Sequence, residues 1–595
     1  MIRQDKEKYL NEQCQKVEHC SINNTTKELY QGVRNITRKF KPMVDTIKSE
    51  DGLVLCDGKE VKDRWNQYCS NLYKKNEDLT TTSIVLDESE DEPPLLLEEV
   101  RKAIKELKND KSPGIDEVTA ELIKNGGENV EYFFYKLCTK IWSERRWPED
   151  WVKSVFTPIP KKGDTLQCNN NRTIALISHS SKILLKIIAE RMKLKLRDEI
   201  ADEQAGFRPG KGTRNQVLNL KMVIEKNREH QRDLHLCFID YSKAFDTVDH
   251  DILWNNMNDM NFPKHIIQLI KAMYDQQQAA VRTTYGLTEW FEVNQGVRQG
   301  CILSPHLFNI YSETIMRNAL ENYEGTVNVG GYKISNLRYA DDIVLIASNV
   351  NELQQLLDKV REASEKAGLF LNAKKTKTMA IRRHPAMNDE TPIIINGYAV
   401  ENVKQFTYLG AVFTNTYDDS LEIKRRIAIA KNATIALTNI WKNRSITLRT
   451  KLRLLNSLVF PVASYGSECW VLKKKDQKRI GSFELWCYRR VLRISWTEKK
   501  TNDEVLRRIN CNDRLLDILN KRKLKFVGHV MRSESLGKNL LTGMVLGNRG
   551  RGRPKTRYSD NIRDICGLTM VQVERKAQDR VEWRRLVQRS TAAQT

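Results

Sequence analysis

The hydrophobic pattern is sharpest around one pair of acids. Leu337-Arg338-Tyr339-Ala340 and Ile343-Val344-Leu345-Ile346-Ala347 flank Asp341-Asp342. The flanks read as two short strands. Successive side chains on a straight strand face opposite ways, so both aspartates are expected on the turn of a hairpin, where two carboxylates can aim at one place. A second apolar strand, Leu234 to Ile239, ends at Asp240 and runs into the turn Tyr241-Ser242-Lys243-Ala244-Phe245-Asp246.

The same reading gives the rest of the chain. Residues 1–75 are expected to be helical, with Leu29, Val33, Ile36 and Phe40 at helical spacing. A helix opens near Leu97 and breaks at Ser112-Pro113-Gly114. Asp116 is placed to cap the next one and Gly126-Gly127 to end it. Val155–Pro160 and Ile174–Ile177 read as extended, before a helix over about 180–198. The glycine-rich loop Gly206–Gly212 lacks the spacing of a nucleotide-binding P-loop, and Thr213 is placed to cap the helix after it. Helices follow near 249–260 and 264–274, then a hairpin from Ala279–Tyr285 and Trp290–Val293. Ser304-Pro305 supplies a cap and a first-turn proline for a helix to about Asn322. A helix over 351–367 stops at Gly368, Leu369–Met379 reads as a strand, and Phe406–Phe413 as a hairpin. From Asp418 the pattern is helical and basic, with aromatics such as Trp441, Trp470 and Tyr488 read as core.

Charge narrows the class of partner. The chain of 595 residues has 99 Lys+Arg against 76 Asp+Glu, a net charge of +23. That excess favours a polyanion, most simply nucleic acid. No apolar run approaches a membrane span, and the start has no apolar signal core. The cysteines form no C-x-x-C pair, which fits a reduced, intracellular protein. Asp87 to Pro94 marks an acidic linker, and Arg549 to Arg557 a basic run.

Asp240, Asp341 and Asp342 together are a candidate ligand set for two divalent cations, which can activate a hydroxyl and stabilise a leaving phosphate oxygen. Each feature also has an ordinary reading: a solvated Asp-Asp turn, a lone strand-end acid, and lysines 161 and 162 as surface charge.

Eight blocks in order resemble the reverse transcriptases of non-LTR (LINE-like) retrotransposons. They are Lys111–Asp116, Ile159–Asp164, Ala205–Lys211, Phe238–Asp246, Gly296–Cys301 with Ser304-Pro305, Tyr339–Asp342, Gly368-Leu369 with Asn372 and Lys375-Thr376, and Phe406 with Tyr408–Gly410. The resemblance implies an α+β right-hand polymerase of fingers, palm and thumb, with an antiparallel palm sheet, a helical N-terminal extension and a helical C-terminal region. It implies RNA-directed DNA polymerase activity that extends a DNA 3′-OH on an RNA template with deoxynucleoside triphosphates. Asp240, Asp341 and Asp342 would hold two Mg²⁺, for which Mn²⁺ is the alternative. Lys161, Lys162 and Arg172 would contact the triphosphate, and Lys375 would help to protonate pyrophosphate. Phe245 would crowd the sugar 2′ position, and Gln299 and Gly300 would shape the pocket. Phe406, Tyr408, Leu409 and Gly410 would grip the primer. The implied division is 1–75 N-terminal extension, 76–95 linker, 96–415 fingers and palm (core about 142–414), 416–535 thumb and 536–595 basic tail. Action on chromosomal DNA implies a nuclear site, with a cytoplasmic ribonucleoprotein stage and no membrane partner.

Two departures stand out. Asn171-Arg172 replaces the family's usual Tyr-Arg, and no endonuclease pattern precedes the fingers, so the chain reads as the rear part of a longer polyprotein or a truncated copy. Arg551-Gly552-Arg553-Pro554 resembles the core of an AT-hook, whose arginines suit narrow A·T-rich minor grooves of a target duplex; a solvated basic linker is the equal alternative. Two rivals remain for the whole: a catalytically silent remnant that only binds nucleic acid, and a host RNA-templated polymerase such as a telomerase or an intron maturase.

Overall fold

The computed structural model describes residues 2–37, 46–75, 92–161, 163–382, 391–510, 513–545, 547 and 555–592. Phe40, Lys162, Arg551, Arg553 and most of the acidic linker lie outside them. The fold is mixed α+β. Three N-terminal helices, α1 (Ile2–Ile22), α2 (Thr26–Thr37) and α3 (Gly58–Tyr73), lead into strands β1 (Ser154–Pro160) and β2 (Asn171–Leu176). Helices α4 (Ser181–Glu199) and α5 (Thr213–Glu229) precede strand β3 (Leu234–Ile239) and strand β4 (Gln278–Thr283). Next come α6 (Ser304–Leu320), β5 (Asn336–Tyr339), β6 (Asp342–Ala347), α7 (Val350–Lys366), β7 (Lys377–Ile381) and the hairpin β8 (Gln405–Tyr408) and β9 (Ala411–Thr414). The remainder is helical and includes α8 (Ser420–Ala436), α9 (Lys474–Leu492), α10 (Leu515–Arg532) and α11 (Arg580–Ala592).

The central sheet runs β5-β6-β3-β7 and ends on the two-residue strand Glu401–Asn402. β6 and β7 both pair antiparallel with β3, with Ile343 opposite Ile239 and Lys377 opposite Phe238. Its middle strands β3 and β6 are apolar at nearly every position because both faces are covered. Cys237, Ile239, Ile343 and Leu345 face a core shared with α6 and α7. Leu236, Phe238, Val344 and Ile346 face a second core shared with α5 and α10. A second five-stranded sheet has β1 antiparallel to β2 and parallel to β4.

The two ends of the chain are tied to the body. Val17, Leu29 and Val33 of α1 and α2 join a third core with Ile423, Trp441, Trp470 and Phe483, and Glu18 accepts hydrogen bonds from Thr447 N (3.0 Å) and Oγ1 (2.8 Å). The segment 536–595, expected as a basic tail, carries four helices where it is described. Val573, Trp583 and Val587 bury there against Leu524 and Val527 of α10.

Several local expectations are corrected. Thr119, not Asp116, caps the helix Ala120–Asn125; Asp116 instead accepts from Ser178 Oγ at 2.5 Å. Gly212, not Thr213, precedes α5, and Asn215 Oδ1 reaches back to its N–H at 3.1 Å. Ser304 is the first residue of α6 rather than its cap, and its Oγ donates to Arg298 O at 2.7 Å. The strand expected over 369–379 is confined to β7, because the backbone before it is drawn off: Asn372 N donates to Asp240 O at 2.8 Å.

Gly528 marks the tightest contact in the C-terminal helices. A Cβ there would lie 2.1 Å from Trp583 Nε1, which donates to Leu524 O at 3.0 Å. Ala in place of Gly inside a helix normally gains up to about 1 kcal/mol; here overpacking by about 1–3 kcal/mol outweighs it. Gly528→Ala should therefore lower the midpoint of thermal unfolding, and a raised midpoint would contradict this packing.

Candidate active site

The Asp-Asp hairpin is held from below. β5 and β6 pair with Tyr339 opposite Asp342, so Ala340 and Asp341 form the turn and Asp342 opens the strand. Asp341 is thus on the turn as expected, whereas Asp342 is one step into the ladder. Ala340 adopts φ +58°, a left-handed conformation uncommon for a residue with a Cβ. Gln204 supports it: its Oε1 accepts from Ala340 N (3.0 Å) and Gly206 N (2.8 Å). A Cβ at Gly206 would sit 2.4 Å from Ala340 N, so the glycine-rich loop is a buttress packed against the turn. Gln216 Nε2 donates to Arg338 O at 2.7 Å, and Arg338 pairs with Glu313 at 3.1 Å, both buried.

The register that sets Ile343 against Ile239 carries Asp342 alongside Asp240. Asp240 is fixed through its backbone, its carbonyl taking Asn372 N at 2.8 Å and its N–H reaching Thr376 Oγ1 at 3.4 Å. The carboxylates feel one another. Burial, then the charge of Asp240, raises the Asp341 carboxyl, against the pull of Arg172 and Lys161. Asp342 opens to solvent on one side but is crowded on the others; burial and the charges of Asp341 and Asp240 push it up to about 6. Asp240 Oδ2 is shielded and accepts no hydrogen bond; its nearest cation is Lys375 Nζ at 3.4 Å.

This donor set suits a hard cation. Among the described residues, no three His, Cys, Asp or Glu side chains close into a ready metal cage. Mg²⁺ does not need one: it is typically held by one or two carboxylates with waters and substrate phosphates completing an octahedron. A carboxylate oxygen with no hydrogen bond, faced only by Lys375 Nζ at 3.4 Å, beside two carboxyls that resist ionisation is an arrangement that a divalent cation would relieve.

Cations stand opposite. Ile159 pairs with Arg172 across β1 and β2, which places Lys161 and Arg172 together at the tip. Burial and the charge of Arg172 lower the Lys161 ammonium, while Asp246 and Asp240 pull it the other way. Asn171, the departure from the family pattern, is buried and donates through Nδ2 to Thr165 O (3.1 Å) and Gln167 O (2.9 Å), which staples the loop between the strands.

Phe245 is half-buried, stacked on Phe308 with centroids 4.3 Å apart and met edge-on by Phe207. Gln299 Nε2 donates to Asp246 Oδ1 at 2.6 Å, and its carbonyl takes Ala175 N at 2.7 Å. Gly300 has φ +117°, and a Cβ there would meet Ala175 O at 2.9 Å. Sequence reasoning missed the groups that hold this corner. Tyr73 of α3 donates to Asp246 Oδ1 at 3.1 Å and sits 3.0 Å from Thr173 Oγ1. Arg298 is buried and donates to the carbonyls of Trp151, Val152 and Met273.

The β8–β9 hairpin lies close by. Phe406 stacks on Phe238 at 4.2 Å, and Tyr408 is buried near Asp342, whose charge adds to burial in raising its phenol. Leu409 and Gly410 form the turn with φ +47° and +77°. Leu409 O accepts from Tyr465 Oη at 2.9 Å and Gly410 O from Arg425 Nη2 at 2.7 Å.

A strand-end carboxylate facing a hairpin of two more, with cations opposite, is an arrangement that could serve phosphoryl or nucleotidyl chemistry. Residues 159–413 match the reverse transcriptase (RNA-dependent DNA polymerase) family, and the chain is similar to transposon-encoded proteins. It is 26% identical to the probable RNA-directed DNA polymerase from transposon BS of Drosophila melanogaster over 74% of this chain and 49% of that protein. It is 27% identical to the transposon TX1 uncharacterized 149 kDa protein of Xenopus laevis over 53% of this chain and 25% of that one. The chain thus spans half or less of the length of these two relatives. Among solved structures, apo telomerase from Candida Tropicalis aligns with 70% of this chain and 73% of its own at 14% identity and a TM-score of 0.36.

The raised Asp342 carboxyl has a sign. Its folded value, about 6, lies above the ordinary 3.8. Protonation therefore favours the fold, and that stability is complete below about pH 4 and lost as pH rises through about 6. In metal-free buffer, Asp342→Asn should raise the unfolding midpoint at about pH 7.5 and make little difference near pH 4. A variant less stable than the parent at neutral pH would contradict the crowding of these carboxylates.

Proposed function

We propose that the chain is an RNA-directed DNA polymerase of the non-LTR retrotransposon type. The observation that carries this is the register of β3 and β6, which brings the Asp240 strand end to the Asp341-Asp342 hairpin opposite Lys161 and Arg172, inside the matched residues 159–413. In this reading the central sheet is the palm, the β1–β2 sheet with its flanking helices the fingers, and the helices after about 416 the thumb. Residues 1–75 are an N-terminal extension, 76–95 a linker, and 536–595 a C-terminal region that ends the chain.

Asp240, Asp341 and Asp342 would hold two Mg²⁺ ions, with Mn²⁺ as the substitute; when bound, these ions activate a 3′-hydroxyl and neutralise charge on the leaving phosphate. The chain's own groups do the rest. Lys161, Lys162 and Arg172 bind the triphosphate, and positioning with charge neutralisation is what phosphoryl transfer requires. Lys375 Nζ, beside Asp240, is placed to give a proton to the departing pyrophosphate. Gln299, tied to Asp246, and the bare backbone of Gly300 shape the floor under base and template. Phe245, locked by Phe308, closes the sugar pocket on its 2′ side. Phe406, Tyr408, Leu409 and Gly410 hold the primer end. Partners are an RNA template, a DNA primer and target duplex, and deoxynucleoside triphosphates, with action at chromosomal DNA in the nucleus. Among the described residues, no helix is long and apolar enough to cross a membrane.

The test is primer extension by the purified chain on an RNA template with Mg²⁺. Extension with deoxynucleotides is expected; binding without extension would leave a silent nucleic-acid binder. Phe245→Ala should raise ribonucleotide use relative to deoxynucleotide use by about ten- to a hundredfold. If Phe245 were only a core aromatic, the variant would lose stability with sugar preference unchanged.

A further inference from the structure

The C-terminal helices build a second basic feature away from the carboxylates. α10 and α11 pack side by side and leave a groove of about 960 Å³ between them. One wall is the α10 stripe Lys525, His529 and Arg532, and the other is Arg580 and Arg584 of α11. Trp583 is the floor, buried and committed to Leu524 O. The lining has one acid, Asp513, and it is paired with Lys521 at 2.5 Å.

Among the described residues, most of these cations are not neutralised. Lys525, Arg580 and Arg584 are exposed and make no ion pair among the described residues. Arg532 spends one Nη1–H on Ala577 O at 2.7 Å; burial, then the like charge of Arg580, pushes its guanidinium down. Two guanidinium groups on one concave surface, whose lining carboxylate Asp513 is already paired with Lys521, attract an anion. The α10 stripe from Lys525 to Arg532 spans about 10 Å at 1.5 Å per residue, more than one phosphate covers, which calls for an anion with repeating charge. Helices in contact lie about 8–10 Å apart, so a groove between them admits one strand of a nucleic acid and excludes a whole duplex. Trp583 has no free face for stacking, so the contact is to phosphates and indifferent to base.

We propose that the α10–α11 groove binds the backbone of single-stranded RNA. The choice of RNA rests on the polymerase reading, in which the long single strand is the uncopied template. The groove also adjoins the catalytic domain: His529 Nε2 of α10 lies 3.3 Å from Gly210 O in the loop that buttresses the hairpin.

The experiment titrates the full chain with labelled oligouridylate, the matching single-stranded DNA and a DNA duplex at several salt concentrations. Arg580→Ala with Arg584→Ala should weaken oligouridylate binding roughly ten- to thirtyfold at about 0.1 M salt and flatten the salt slope by about 1.4, the value for two contacts to a single strand. Arg580→Lys with Arg584→Lys, which keeps the charge, should restore most of the affinity. Extension of a short annealed primer–template without a long overhang should be unchanged. Unchanged affinity for oligouridylate, or a larger loss on duplex or on single-stranded DNA, overturns the proposal. The binding readout does not need extension, so a chain that failed to polymerise would defeat the polymerase reading and still decide whether the groove takes this strand.

Discussion

Three carboxylates drawn to one spot repel one another, and this constraint shapes the structure around them. The antiparallel register of β3 with β6 creates the crowding, since Ile239 opposite Ile343 leaves Asp240 beside Asp342. A one-residue slip would turn every apolar side chain of β6 to the wrong face, and both faces lead into filled cores. The register is therefore fixed by packing on both sides, and the carboxylates must accept the proximity. The cost is visible in the raised carboxyls of Asp341 and Asp342.

The supports are arranged accordingly. Gln204 and Gly206 hold the strained Ala340 turn from beneath, and the buried Arg338–Glu313 pair anchors the strand that leads to it. Removing one partner of such a pair leaves an unmatched buried charge, which is far more damaging than the pair's net contribution suggests. On the opposite side, Lys161 and Arg172 supply positive charge from a separate sheet, so closing that sheet on the central one offsets the repulsion.

Much of this was legible in the residues. The strand Leu234–Ile239, the hairpin after Leu337 and the helices over 264–274 and 350–366 follow from apolar runs and periodicity that burial enforces. Asp240 and Asp341 stood out through their place in eight ordered blocks, since a strand-end acid or an Asp-Asp turn alone has an ordinary reading. The misses share a cause. Gln204 lies 136 residues from Ala340 and Tyr73 lies 173 from Asp246, and no local pattern announces such a partner. Asp116 and Ser304 look like caps but are engaged by Ser178 and Arg298, tertiary partners that override local preference. The segment before β7 reads as a strand by composition, yet its hydrogen bonds go to the backbone of Asp240. After 536 the basic charge drew the eye from a helical spacing that is present: Leu536, Leu540 and Leu541, then Tyr558, Ile562 and Ile565, then Trp583 and Val587 all bury on one side of their helices.

Asp240, Asp341 and Asp342 come from distant parts of the chain, and the proposal makes them one cation site. Mn²⁺ binding followed by electron paramagnetic resonance, with a deoxynucleoside triphosphate present, tests it most directly. Asp240→Asn and Asp341→Asn should each weaken Mn²⁺ binding and cut extension by a factor on the order of 10² to 10³ or more, while RNA affinity stays near that of the parent. Full Mn²⁺ binding and extension in either variant would contradict it.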